Sequence, residues 1–122
     1  MSATQIKNNG GIIGAPEDIS SQVTLNTDKF SAPVNTIKVY RYGKIVQVSI
    51  NGITQLSNTE ENVTILSGLP EPVSFVTAGI GLSQYNPHTS TVAINSGETD
   101  LKTKIRTTGG SPIYSSFTYI CK

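Results

Sequence analysis

Side chains able to carry acid–base chemistry are few in this chain. His88 is the only histidine, the aspartates are Asp18, Asp28 and Asp100, and the glutamates are Glu17, Glu60, Glu61, Glu71 and Glu98. Nearly all of them fall in the N-terminal segment, in loops or in turns, where a carboxylate is solvated and untuned. Catalysis needs such groups to converge. Ser83, His88 and Asp100 supply the types of a nucleophile–base–acid set, yet 14 serines make such a set easy to find by chance. No strained nucleophile turn accompanies them. Glu98 and Asp100 lie beside a turn with nothing apolar nearby to raise one pKa, so they make a poor glycosidase pair. The expectation is a protein with no catalytic residue.

Metal chemistry has no better footing. One histidine and one distant cysteine, Cys121, cannot build a zinc site, and the spacing of a calcium loop is missing. Gly10-Gly11 and Gly109-Gly110 lack the lysine and the strand–loop–helix setting of a phosphate loop. Asn62-Val63-Thr64 fits the N-glycosylation tripeptide, a match that short chains contain by accident. No metal and no cofactor are expected. Cys121 reads as a small apolar side chain closing a strand.

What remains is recognition by stacking and hydrogen bonding. There are five tyrosines and no tryptophan, and Tyr40, Tyr42, Tyr85 and Tyr114 have polar neighbours. A tyrosine ring stacks on the apolar face of a sugar while its hydroxyl and nearby amides meet the sugar hydroxyls. The densest such cluster, Gln84-Tyr85-Asn86-Pro87-His88, reads as a loop, where recognition residues concentrate. Tyr85, Asn86 and His88 are therefore the first saccharide-binding candidates, and Arg106 and Tyr114 the next.

These residues need a scaffold, and composition says which kind. Isoleucine, valine and threonine number 14, 9 and 15 in 122 residues, against six leucines and five alanines. Branched side chains fit a pleated sheet and lose rotamer freedom in a helix. A net charge of +1 argues against nucleic acid or an acidic membrane as partner, since both select clustered basic charge. No apolar run is long enough for a membrane span, and Met1-Ser2-Ala3-Thr4-Gln5 does not begin a signal peptide.

Along the chain, residues 1–22 carry the breaker clusters Asn8-Asn9-Gly10-Gly11 and Gly14-Ala15-Pro16 around Ile12-Ile13, and read as an N-terminal arm or linker. Residues 23–122 read as one domain. Asn35 to Tyr42 and Ile45 to Ile50 form a hairpin around Gly43-Lys44. Asn51-Gly52 reads either as a second hairpin turn or as a glycine bulge in a strand continuing to Leu56. The bulge is preferred, because only Ser57 to Asn62 looks like a full connection. Val63 to Leu66 is a short strand, and two prolines mark the crossover Ser67 to Pro72. Val73 to Ile80, apolar on both faces, reads as a central, doubly covered strand. Thr91 to Asn95, Leu101 to Ile105 and Ile113 to Cys121 complete the set, with Leu101, Thr103 and Ile105 inward and Lys102, Lys104 and Arg106 outward. About eight short strands at this spacing predict an all-β fold, an antiparallel β-sandwich or Greek-key barrel.

The run Ile37-Lys38-Val39-Tyr40-Arg41-Tyr42-Gly43-Lys44-Ile45-Val46-Gln47-Val48-Ser49 resembles a hairpin of bacteriophage tail-fibre and baseplate proteins. Leu69-Pro70, a strand pair around Gly97 and the terminal aromatic strand Phe117-Thr118-Tyr119-Ile120 occur in the same order. Over residues 23 to 121 the chain resembles the C-terminal head domain of receptor-binding proteins from siphophages of Gram-positive bacteria, of the lactococcal-phage type. That resemblance implies a homotrimer, a virion-tail location at the host surface, and binding to a cell-wall or capsular saccharide. It also implies that the N-terminus joins other tail or baseplate proteins, and that Tyr85 and His88 serve the sugar site. The tryptophan that commonly supplies the stacking face in that family is missing. A trimer has a physical motive too, since strands apolar on both faces leave surface to cover, and repeated weak sites gain from linkage. Two other readings stand beside this one: a structural tail or baseplate module that touches only virion proteins, and a small glycan depolymerase.

Overall fold

The computed structural model describes residues 6–8, 11–13, 15–56, 62–81, 89–103 and 112–122. Among them run β1 (Ile6–Asn8), β2 (Gly11–Ile13), β3 (Glu17–Asp18), β4 (Thr24–Leu25), β5 (Phe30–Ser31) and β6 (Ile37–Tyr42). Then follow β7 (Ile45–Gln55), β8 (Thr64–Ser67), β9 (Val76–Gly81), β10 (Thr89–Ile94), β11 (Leu101–Thr103) and β12 (Pro112–Ile120). The one helical element described is a single 3-10 turn at Ser20–Gln22. The fold is an all-β sandwich of two antiparallel sheets packed face to face.

The strands follow one hydrogen-bonded path, β3-β6-β7-β12-β9-β10-β11-β8-β4, with β5 off it on β7, and the two layers of the sandwich join on that path at β12 and β9. The ladder between them is a single residue pair, Tyr114 opposite Gly81. Further along this seam Val73 N–H donates to the Ile120 carbonyl at 3.0 Å, and Lys122 N–H to the Glu71 carbonyl at 2.9 Å. On the far side the chain crosses from β4 on β8 to β5 on β7, and Asn26 holds the crossing. Its backbone N–H donates to the Ile65 carbonyl at 2.9 Å and its side-chain amide to the Thr64 carbonyl at 2.9 Å. A separate two-stranded sheet pairs Ile6 with Ile13 and Asn8 with Gly11.

The core follows from alternation. Val39, Val46, Val48, Ile50, Ile53 and Ile113 point inward from the first sheet and meet Ile65, Leu66, Val92, Ile94 and Leu101 of the second. Along β7 the inward positions are Val46, Val48 and Ile50, then Ile53 and Gln55. The step of three between Ile50 and Ile53 breaks the period of two, so an extra residue must sit between them. The register indeed shifts between Ile113, opposite Ile53, and Tyr114, opposite Asn51, and Gly52 has φ of 92°. Asn51-Gly52 is a bulge and not a turn.

Some expectations need revision. Residues 17–22 belong to the body and not to an arm: β3 pairs with β6, and Ile19 is buried and donates its N–H to the Val39 carbonyl at 2.9 Å. Val73 to Ile80 is not a doubly covered central strand. The strand begins only at Val76, and Val73 and Phe75 stand half exposed. Pro72, bridged to Cys121, holds the preceding segment along the seam. Cys121 is buried and free, at the closing end of β12.

Candidate functional site

Tyr114 is the one saccharide candidate that falls among the described residues. Tyr85, Asn86 and His88 lie in 82–88, and Arg106 lies in 104–111, outside them. Tyr114 is 46% exposed on the outer face of β12. Its position follows from the bulge, because the extra residue in β7 brings Asn51 opposite it. A Cβ added at Gly52 would lie 3.3 Å from Tyr114 Cε1, so the ring rests against the bulge, whose positive φ favours glycine.

Around Tyr114 the sheet forms an open groove of about 470 Å³, lined by Ser49, Ile50, Asn51, Gly79, Ser115 and Ser116. That volume lies in the range of ~300–1,000 Å³ typical of small-molecule sites. Ser49 and Ser116 are direct cross-strand partners. One β-pair further along, the inward Ser115 hydroxyl donates to the Gly79 carbonyl at 2.9 Å and tethers β12 to β9. The lining thus offers an aromatic face, hydroxyls that both donate and accept, and one carboxamide.

A second groove of about 360 Å³ follows the same seam, lined by Val73, Ser74, Phe75, Val76, Thr77, Thr118, Tyr119 and Ile120. Ile120 is 57% exposed and stands opposite Ile45, which stands opposite Tyr42 on β6. This end of the outer face is therefore apolar, whereas the Tyr114 end is polar.

Two of the described carboxylates are engaged locally. Glu98 forms an ion pair with Lys102 at 3.1 Å and accepts from the Asn95 amide at 3.2 Å. Asp18 is held below the usual carboxylate range by the Ser20 hydroxyl and by the Ser20 backbone N–H, which donates to it at 2.9 Å. It anchors the 3-10 turn. No cluster of three or more His, Cys, Asp or Glu side chains suited to a metal is present among the described residues.

The chain matches no family model and no curated protein. The site therefore stands on its geometry. Ser49, Asn51, Gly79 and Ser116 were not candidates from the sequence, because their grouping depends on pairing β7 with a strand some sixty residues later. The sequence pointed there only through Tyr114 and the Asn51-Gly52 pair.

Proposed function

We propose that this chain is the receptor-binding head of a bacteriophage or prophage tail fibre or baseplate, attaching without covalent chemistry to a host cell-surface saccharide. The observation that carries the reading is the exposed Tyr114 ring beside the hydroxyl- and amide-lined groove at the bulge. Sugar recognition needs a flat apolar face flanked by groups that donate and accept, held on a scaffold that does not rearrange. β7 and β12, paired over nine residue positions, supply that scaffold. The ordered resemblance to siphophage heads supports the same reading. Tyr85, Asn86, His88 and Arg106 remain proposed contributors.

The head is proposed to act as a homotrimer, joined to other tail or baseplate proteins through its N-terminus. The apolar end of the outer face, with Ile45, Val73, Phe75 and Ile120, favours burial against protein. That same surface supports the second reading, a structural module that touches only virion proteins. A depolymerase has less support, since Glu98 is already engaged by Lys102 and Asn95.

The test is retention of the intact chain on host cell walls and on a glycan array, compared with Tyr114→Ala. Loss of one stacking face is expected to cost about 1 kcal/mol per site, roughly a fivefold weakening. Linkage of three sites enlarges that loss. Undiminished retention by a folded variant moves the site elsewhere, and no retention of the parent chain favours the structural module.

A further inference from the structure

The charge inventory of the Tyr114 groove says more about its occupant. None of Ser49, Ile50, Asn51, Gly79, Tyr114, Ser115 and Ser116 carries a carboxylate, ammonium, guanidinium or imidazole group. A phosphodiester or carboxylate placed there would lose hydration with no cation among these residues to replace it. Arginine and lysine are what proteins use for that task. One described cation, Lys38, stands opposite Ser49 on β6, and its ammonium donates to Asn35 Oδ1 at 3.4 Å.

The groups that are present suit a different ligand. A serine hydroxyl and a sugar hydroxyl are each donor and acceptor, so a pair of them can bond in either sense. Asn51 adds two donors and an acceptor at the exposed end of the bulge. The Tyr114 ring supplies the surface for the C–H face of a pyranose. Resting on the reading above, we infer that the groove takes an uncharged hexopyranose unit and not an anionic wall polymer. Tyr114 is the stacking platform, and Ser49, Asn51 and Ser116 are the hydrogen-bonding set. Recognition of this kind is insensitive to ionic strength, because no ion pair is made.

The experiment uses the full chain and two immobilised probe classes. One holds neutral glucose-, galactose- and rhamnose-based oligosaccharides, and the other poly(glycerol phosphate) and hyaluronan. Binding is read at about 50 and about 500 mM NaCl, conditions that span strong and weak screening. The expected result is binding to at least one neutral probe, changed less than about twofold by salt, weakened roughly fivefold or more in Tyr114→Ala and in Ser116→Ala, and retained in Lys38→Gln. Binding confined to the anionic probes, falling with salt and weakened in Lys38→Gln, overturns the inference and leaves the saccharide-binding head standing. Neutral binding undiminished in Tyr114→Ala overturns the assignment to this groove. Silence towards both classes overturns the proposed function itself, and this inference with it.

Discussion

At the scale of single residues, Tyr119 shows how one side chain ties the strand end to the crossover. Its ring is buried and stacks on Phe117 with centroids 6.2 Å apart, and its hydroxyl donates to the Pro70 carbonyl at 2.8 Å. Burial pushes its ionisation above the ordinary value of 10.0, the buried Cys121 adds to this, and Arg41 opposes it. The folded state thus favours the neutral phenol. The stability linked to it is complete below about pH 10, and is lost above that pH as the unfolded chain ionises first. Denaturant unfolding between pH 7 and 11 is expected to show this alkaline fall, and Tyr119→Phe to flatten it. At neutral pH the same substitution is expected to cost about 1 kcal/mol, the net worth of one hydrogen bond with an acceptor left behind. Asp18 works in the opposite sense: its contribution is present above the ordinary carboxylate pKa and fades as pH falls.

At the scale of elements, the decisive feature is the bulge in β7. Gly52 has φ of 92°, and a Cβ there would press on the Tyr114 ring at 3.3 Å. Gly52→Ala is expected to cost on the order of 1 kcal/mol in stability from the left-handed backbone. It is also expected to displace the ring, so saccharide retention falls although Tyr114 is still present. Gly68 makes a sharper case, with φ of 84° and its would-be Cβ directed into the Gln22 carbonyl. Gly68→Ala is expected to exceed Gly52→Ala in cost, at roughly 2–3 kcal/mol, since both conformation and packing oppose it. Thermal melts of the two variants side by side check the order. The bulge was partly legible beforehand: a hairpin turn at Asn51-Gly52 is the other reading, and the bulge is preferred because only Ser57 to Asn62 looks like a full connection. The Ile37–Tyr42 hairpin was legible from its Gly43-Lys44 turn. Val73–Ile80 was misread, because an apolar pattern does not tell a buried face from one left open beside a seam. The β7–β12 pairing, on which the groove depends, is long-range and leaves no local trace.

At the scale of the whole molecule, two faces of one sheet do different work. The inner face fills the core, while the outer face grades from the polar Tyr114 end to the apolar end around Ile45 and Ile120. A surface of that kind suits a head that meets sugar at one end and protein at the other. Light scattering at micromolar concentration is expected to report three times the monomer mass. Phe75→Asp or Ile120→Asp is expected to shift it toward one, with the fold intact by circular dichroism, because a carboxylate buried at a contact lacks a partner. A parent particle of monomer mass would remove the trimer from the proposal.

The two sheets meet in a ladder of one residue pair, with a serine hydroxyl bridging just beside it. At this seam β9 is held by its six-pair ladder to β10 and by little backbone bonding to β12, so a ligand bridging the seam would add to its protection. Gly79 sits on that seam and also lines the groove. A sugar spanning from Asn51 to Gly79 would act as a rivet, and slowed deuterium uptake from Ala78 to Gly81 would record it.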